Sequence, residues 1–516
     1  MSAPPWEDQG PSGAIRSGPR TRRPVTPWRK AWRGIEHWIV LIHRWIGIAT
    51  CLICTVWCLS GIALIYVVQP KVMDQEYRAG LNPILWSQVH IGPTAALEAA
   101  GLAAFPQRAR LEMSGGRPVY SFTDWSGAQV AVGADDGQRI AHVDAARAMA
   151  IARGWAHTNR PTYLKPVSFD RWVYKPAFDT LRPFHLIALH DDLDRQIYVS
   201  ARTGAVAMDT SAHDRFWSWL ARVPHLLELP IERSQAGPWR QFFLWSTALA
   251  AVVAVGGLVL GFVRLSLIKR YGEGRISPFK GFMLWHHLLG LIGGITLFTW
   301  VGTAFIYMHP GHWLDASAQP TAAMQRYAHH QAANFPLTAE RLGQIAPPGA
   351  VYAGFSWLAG KPLAYFGFKD LHIQTYDGET GALSPLSGRR LTEAAKLIVP
   401  QAAVVQAQLR TEPDRYWHSF KGDVRKTPMF RVEFADPKGT WLHLDPDTGE
   451  LLQTKTAADR TYFLFFNEIH KFDFYSMRGL AHDILVWILV LMGAGISITG
   501  VVVGWKHLSK PSGKAR

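Results

Sequence analysis

The sequence predicts a membrane protein, mainly α, whose four transmembrane helices form two tandem repeats, each carrying a polar α+β domain. Three observations predict it. Four apolar runs are long enough to cross a bilayer. Basic residues crowd beside those runs. One half of the chain can be laid on the other at a near-constant offset.

A membrane-spanning helix needs roughly 20 apolar residues. Four runs meet this, and each lacks Lys, Arg, Asp and Glu over its central part. They divide the chain into a disordered, Pro-, Gly-, Ser- and Arg-rich tail (1–34), a first span (35–68), a polar domain (69–238), a second span (239–264), a loop (265–281), a third span (282–309), a second polar domain (310–465), an interfacial segment with the fourth span (466–505) and a short tail (506–516).

The formal net charge is +15 over 516 residues. Its placement points to lipid and not to nucleic acid. The cations cluster at Arg20–Arg33, Arg264–Lys280 and Lys506–Arg516, beside the apolar runs. Such juxtamembrane clusters orient spans and meet anionic headgroups. They place both termini and the loop 265–281 on the cytoplasmic side of a multi-pass protein, and both polar domains on the other. The basic start followed by a full-length span reads as an uncleaved anchor. Many of the 22 tryptophans sit near span ends, as an aromatic belt requires. Cys51, Cys54 and Cys58 are the only cysteines and share one helix face, which reads as small packing residues in the first span.

The repeat is gapless over its clearest stretch. Pro183–His225 lies on Pro428–His470 at an offset of 245. Within it, Tyr198–Gly204 faces His443–Gly449, Asp214-Arg215 faces Asp459-Arg460, and His225 faces His470. At the start of each half, His43-Arg-Trp-Ile-Gly47 faces His286-His-Leu-Leu-Gly290 at an offset of 243. Each half is therefore a span, a polar domain and a second span. Alternating runs such as Pro118–Thr123, Gln129–Val132, Leu363–Phe368 and Met429–Phe434 predict antiparallel strands, with tight turns at Asp136-Gly137 and Asp377-Gly378. Val143–Arg153 and Thr392–Val399 predict short helices. Two small α+β modules are expected in each polar domain.

Histidines carry the chemistry. A His within a bilayer is costly and marks a functional candidate. Two imidazoles from facing helices are what a haem iron takes as axial ligands. A quasi-two-fold protein supplies such pairs. His43 and His286 open the first and third spans near the cytoplasmic face, with Gly47 and Gly290 one turn on, where a macrocycle can approach the backbone. His225 and His470 precede the second and fourth spans near the opposite face, in aromatic, amphipathic stretches. Two b-type haems are therefore expected, axially bound by His43 with His286 and by His225 with His470. His482 and His309 compete for the outer site, and His37 and His287 for the inner one. The competing uses are a polar contact between helices or an interfacial helix facing headgroups. No compact zinc spacing, no Cys-x-x-Cys-His, no dinucleotide or phosphate loop and no nucleophile elbow occurs. Electrons must then come from quinol or a cytoplasmic donor. No catalytic residue is assigned.

The His43–Gly47 opening, the Asp445-Pro-Asp-Thr-Gly-Glu450 turn and the His470 segment resemble the PepSY-associated transmembrane proteins, over nearly the whole chain after residue 35. That group includes bacterial inner-membrane ferrisiderophore reductases. The resemblance implies an inner-membrane di-haem b oxidoreductase with PepSY-like periplasmic domains, acting on ferric siderophores or another periplasmic acceptor. Basic and aromatic residues such as Arg222, Arg415, Trp417 and Lys421 are candidates to attract an anionic chelate, against the plain reading of a solvated surface. The alternative function is a PepSY-type membrane sensor or peptidase regulator without redox activity. A transporter ranks last, because the spans offer no polar pathway.

Overall fold

The structure, a computed structural model, describes residues 27–67, 70–156, 160–227, 236–268, 271–312, 314, 319–420 and 424–509. Helix α1 (Pro27–Tyr66) is followed by α2 (Asp74–Gly80), α3 (Pro93–Ala99), α4 (Ala145–Ala156) and α5 (Ala212–Leu226). Among these lie strands β1 (Arg108–Ser114), β2 (Arg117–Thr123), β3 (Gln129–Gly133), β4 (Arg139–Ile140), β5 (Thr162–Val167), β6 (Phe184–Ala188), β7 (Gln196–Ser200) and β8 (Val206–Thr210). The long helices α6 (Ala236–Arg264) and α7 (Phe282–Tyr307) come next. The second polar segment carries α8 (Thr321–Ala328), α9 (Ala339–Ile345), α10 (Gly388–Ile398) and α11 (Ala457–Phe463). Its strands are β9 (Tyr352–Leu358), β10 (Lys361–Gly367), β11 (Ile373–Asp377), β12 (Val404–Arg410), β13 (Met429–Phe434), β14 (Trp441–Leu444) and β15 (Leu451–Lys455). A π-helical turn, Leu464–His470, continues α11, and α12 (Leu480–Leu508) closes the chain.

Four helical segments, Lys30–Tyr66, Gly237–Arg264, Phe282–Tyr307 and Leu480–Leu508, are long and apolar enough to cross a membrane. They form a ring. α1 packs on α6 and α12, and α7 packs on the same two, so α1 and α7 oppose each other across the middle. Outward positions such as Leu52, Leu59, Val252, Ile292, Ile488 and Leu491 are exposed and apolar, the pattern of a lipid-facing surface. Cys54 and Cys58 are buried in the ring, with Cys54 packed beside Ala250 and Val301 and Cys58 beside Val490 and Ala494, as packing residues are.

The polar segments depart from expectation in two ways. First, the protein is not mainly α: about 47% of the described residues are helix and about 20% are strand, in three sheets. Second, the two polar segments are not separate bodies. A seven-stranded antiparallel sheet runs β11-β10-β9-β1-β2-β3-β4, and its seam is the pairing of β1 with β9. There Ala109 faces Phe355 and Leu111 faces Ala353. The core beneath it mixes Phe105, Leu111 and Phe122 from the first segment with Phe335, Phe355 and Phe366 from the second. Pairing two strand sets this way removes an exposed edge from each. The other two sheets, β5–β8 and β12–β15, each belong to one segment.

The repeat is visible in local structure. Both four-stranded sheets shift register at the same place, between Tyr198 and Val199 and between His443 and Leu444. Both then turn through a glycine of positive φ, Gly204 at 78° and Gly449 at 73°. The matched aspartates close matched capping boxes, Ser211 with Asp214 on α5 and Thr456 with Asp459 on α11. The expected strands are β2, β3, β10 and β13. The expected short helices are α4 and α10, the latter starting earlier because Ser387 caps it. Of the expected disordered tail, residues 1–26 lie outside the described residues, and 27–34 are already helix. Of the end tail, 506–508 continue α12, and 510–516 lie outside the described residues.

The shared core predicts shared melting. Leu111→Ala, at a fully buried seam position, should cost about 3 kcal/mol. Both polar segments should lose stability together, read as one shifted transition by hydrogen exchange across β1–β4 and β9–β11. Loss confined to one segment would show that the seam does not couple them.

Candidate metal centres

Two histidine pairs converge inside the ring. The His43 ring on α1 and the His286 ring on α7 have centroids 6.2 Å apart. The His225 ring, at the end of α5, and the His470 ring, at the end of the π-helical turn, have centroids 6.4 Å apart. α5 packs on α1, and the π-helical turn packs on α7. A metal–imidazole bond is about 2 Å long. With each centroid about 1 Å behind its nitrogen, two imidazoles on opposite sides of one metal have centroids roughly 6 Å apart.

Hydrogen bonds set which nitrogen each ring presents. His43 Nδ1 lies 2.9 Å from Val253 O, and His286 Nδ1 lies 3.1 Å from Ile496 O. A carbonyl only accepts, so both Nδ1 atoms carry the proton. His225 Nδ1 is 3.1 Å from Ser60 Oγ, and His470 Nδ1 is 2.9 Å from Thr303 Oγ1. Those hydroxyls already donate to Val56 O at 2.7 Å and Thr299 O at 2.6 Å. They therefore accept from Nδ1–H. All four rings leave Nε2 as a bare lone pair, the arrangement in which a second partner fixes a metal-binding imidazole. Burial pushes His225 down to about 4. Burial, with His225 and Lys471 close by, pushes His470 down to about 3. Both rings are neutral at physiological pH.

Two glycines that the sequence reading passed over make room for the inner pair. A Cβ at Gly257 would lie 2.7 Å from His43 Cε1, and one at Gly500 would lie 3.4 Å from His286 Cε1. They stand at the same offset of 243 as the histidines they seat. The glycines picked out from sequence behave differently. A Cβ at Gly290 would meet nothing within 4 Å, whereas one at Gly47 would touch Val253 at 3.6 Å.

The rival histidines are engaged elsewhere. His287 spans Ser277 Oγ and Gly261 O, each at 2.9 Å, which uses both nitrogens. His482 has Nδ1 on Asp483 at 2.8 Å and Nε2 facing Lys471 O at 3.4 Å. His309 stacks on Tyr462 with centroids 5.1 Å apart. His37 lies against its neighbour Trp38. The close ring pairs are His43 with His286 and His225 with His470, whereas His482 and His309, the competitors for the outer site, have the contacts just given. Among the described residues, no group of three or more His, Cys, Asp or Glu side chains converges as a compact metal site. Among the described residues, each centre thus offers two imidazoles.

A family model described as the PepSY-associated TM region matches residues 40–378. The chain belongs to this family. Comparison with curated proteins and with solved structures finds no match. Family membership and the four apolar helices make the chain a membrane protein. The matched PepSY-associated TM region holds His43, His225 and His286, and it ends before His470.

The anion-attracting residues expected beside the outer pair are mostly committed. Arg415 makes a two-pronged ion pair with Glu468, which is buried beside His470. Trp417 is buried and donates to Lys426 O. Arg222 donates to the Tyr174 hydroxyl. Lys421 lies outside the described residues.

Behind them lies a buried polar cluster that sequence reasoning missed. Arg431 donates to His443 Nε2 at 2.9 Å and pairs with Asp414 at 2.7 Å. Burial pushes Asp414 up, but hydrogen bonds from Arg431 and Arg410 outweigh it and hold the carboxyl at about 2. This lies below the ordinary value of 3.8. The resulting stabilisation is present above about pH 4 and is lost as pH falls toward 2. Asp414→Asn removes it and strips buried Arg431 of its near carboxylate. Thermal unfolding followed by circular dichroism should show a loss of about 3 kcal/mol at neutral pH, and a flatter pH dependence between 4 and 2 than in the parent.

Proposed function

We propose that the chain is an inner-membrane haem b oxidoreductase that passes electrons across the bilayer to a ferric chelate, with a ferric siderophore as the natural class of acceptor. The observation that carries this is the matched geometry of the two histidine pairs. Each has two ring centroids at about the separation that two imidazoles on one metal take, and among the described residues no group of three or more metal-binding side chains forms at either. A porphyrin brings the remaining four nitrogens itself. His43 with His286, and His225 with His470, would each hold one haem b, which supplies one-electron transfer when bound.

The spacing suits transmembrane transfer. His43 and Ser60, which receives His225, are 17 residues apart on α1. His286 and Thr303, which receives His470, are 17 apart on α7. At 1.5 Å per residue this is about 26 Å, against a hydrocarbon core about 30 Å thick. The pairs thus sit at opposite membrane faces. The basic residues at the His43 end orient that end to the cytoplasm, where quinol or a cytoplasmic partner is the electron donor. The polar segments then lie in the periplasm. Reduction converts Fe(III), which oxygen chelators hold tightly, to the more labile Fe(II). The protein's own residues orient the imidazoles, exclude water from the ring and keep the four Nε2 atoms deprotonated.

Detergent-purified protein, reduced with dithionite, should show the absorption of bis-imidazole haem b at about two haems per chain. His43→Ala and His470→Ala should each remove one, and a colourless protein after expression with ample haem would shift the reading to a PepSY-type sensor or peptidase regulator. Losing a partner on the far nitrogen of a metal-bound imidazole weakens binding about 10-fold or more. Thr303→Val should therefore speed haem loss to apomyoglobin for one centre only, and Gly257→Leu for the other. Equal loss at both centres in either variant would refute the separate assignments.

A further inference from the structure

Each outer histidine stands at the end of an irregular turn. In α5, Pro224 directly precedes His225 and has no N–H to give to the turn before it. His470 ends a π-helical turn, whose hydrogen bonds run one residue further than those of an α-helix. The last carbonyls of a helix have no partner within it. Something outside each turn must hold them.

The holders sit on the span that follows. Trp239 on α6 donates its indole Nε1–H to Leu226 O at 2.9 Å. On α12, His482 Nε2 lies 3.4 Å from Lys471 O. Leu226 and Lys471 come directly after His225 and His470, and stand 245 apart as they do. Trp239 and His482 are 243 apart. That is also the offset of Val253 and Ile496, whose carbonyls take the Nδ1–H of His43 and His286 on the same two helices. One contact is thus made twice, by an indole in the first copy and by an imidazole in the second.

The equivalence decides what His482 is for. Its side chain is buried, and its Nδ1 lies 2.8 Å from Asp483 Oδ1. Each ring nitrogen meets an acceptor, so neither is turned out as a free lone pair. Indole offers a donor and no lone pair at all. A position filled by either ring calls for a donor and not for a metal ligand. On the second side, Trp300 adds its own indole N–H to His470 O at 3.1 Å.

We propose that Trp239 and His482 are equivalent positioning residues of the outer centre, each pinning the turn that presents an outer histidine to the span that follows it. Their part in holding a haem rests on the electron-transfer reading above, whereas the pinning of the turns does not. A bound metal needs its ligand atoms held to within about 0.5 Å, which an imidazole on a fraying turn cannot offer.

Four variants of the full-length protein in detergent test this. Trp239→Phe and His482→Phe keep a ring and lose the donor. Trp239→His and His482→Trp exchange the two donors. Hydrogen exchange read by mass spectrometry should quicken about 5-fold across 221–227 in Trp239→Phe, the worth of one ordinary hydrogen bond. In His482→Phe it should quicken across 464–471 by less, because Trp300 still holds His470 O. The two exchange variants should return toward the parent. Where haem is bound, each Phe variant should also speed the loss of one haem to apomyoglobin and shift the reduction midpoint of that centre alone, and His482→Trp should keep its outer haem. Loss of that haem in His482→Trp would make His482 a ligand and overturn the assignment, as would parent-like hydrogen exchange in both Phe variants. A protein that binds no haem yet shows the exchange pattern would sink the electron-transfer reading and leave the two pins standing.

Discussion

An imidazole buried in an apolar helix ring must have its polar atoms satisfied or carry their desolvation cost. Here four rings meet that demand in one way, with Nδ1–H donated to an acceptor on a neighbouring helix. The acceptors are Val253 O, Ile496 O, Ser60 Oγ and Thr303 Oγ1. Much else follows from this. Each bond fixes ring direction and tautomer together, in rings that lie in close pairs. It also ties α6 to α1 and α12 to α7 at the inner end, and α5 and the π-helical turn to those same two helices at the outer end. The acceptors themselves are ordinary helix features. Ser60 and Thr303 bond back to carbonyls in their own helices, which leaves their lone pairs for the incoming ring.

The repeat explains why such an arrangement was legible in sequence. A lone His in a span carries little information, but matched histidines at offsets of 243 and 245 define pairs before any contact is known. Apolar-rich runs between turn residues, such as Met429–Phe434, were legible too, although five of that run's six residues are buried and its burial does not alternate. What sequence could not carry was anything settled through space. His287 sits beside His286 and looks equally available, until Ser277 and Gly261 are seen to occupy both of its nitrogens. Gly257 and Gly500 obey the repeat offset, yet glycine is common in membrane helices, and only the nearby His rings give these two a reason. The β1–β9 seam joins residues about 240 positions apart, and no local pattern announces such a pairing.

That seam also changes how the protein is understood. Read as two domains on two pairs of spans, the molecule would be a tandem of independent units. With one sheet and one core shared between the halves, the polar region is a single lid across the ring. Relative motion of the halves would have to break the β1–β9 ladder. The outer histidines are therefore held from two sides, by the ring below and by the joined polar region above.

The last step concerns the loss of symmetry. The four-stranded sheets of the two repeats match in register, bulge and turn, yet equivalent positions on one face differ in kind. Leu186, Tyr198 and Met208 pack an apolar core in the first copy. The matching positions in the second are Arg431, His443 and Gln453, with buried Lys455 beside them. Burial, with Arg425 and Arg431 close by, pushes Lys455 down to about 8. An apolar face is the cheaper solution for stability, because buried charges are costly to desolvate. The second copy carries that cost on the face covered by Trp417, whose ring lies tilted against His443 at 4.8 Å and under Arg425. The same stretch leads into His418, whose Nε2 lies 2.8 Å from Asp473 Oδ1. Symmetry thus governs the membrane ring, where each pair takes one histidine from each half. It is broken in the polar modules, where the second copy carries polar and charged groups on a face that is apolar in the first.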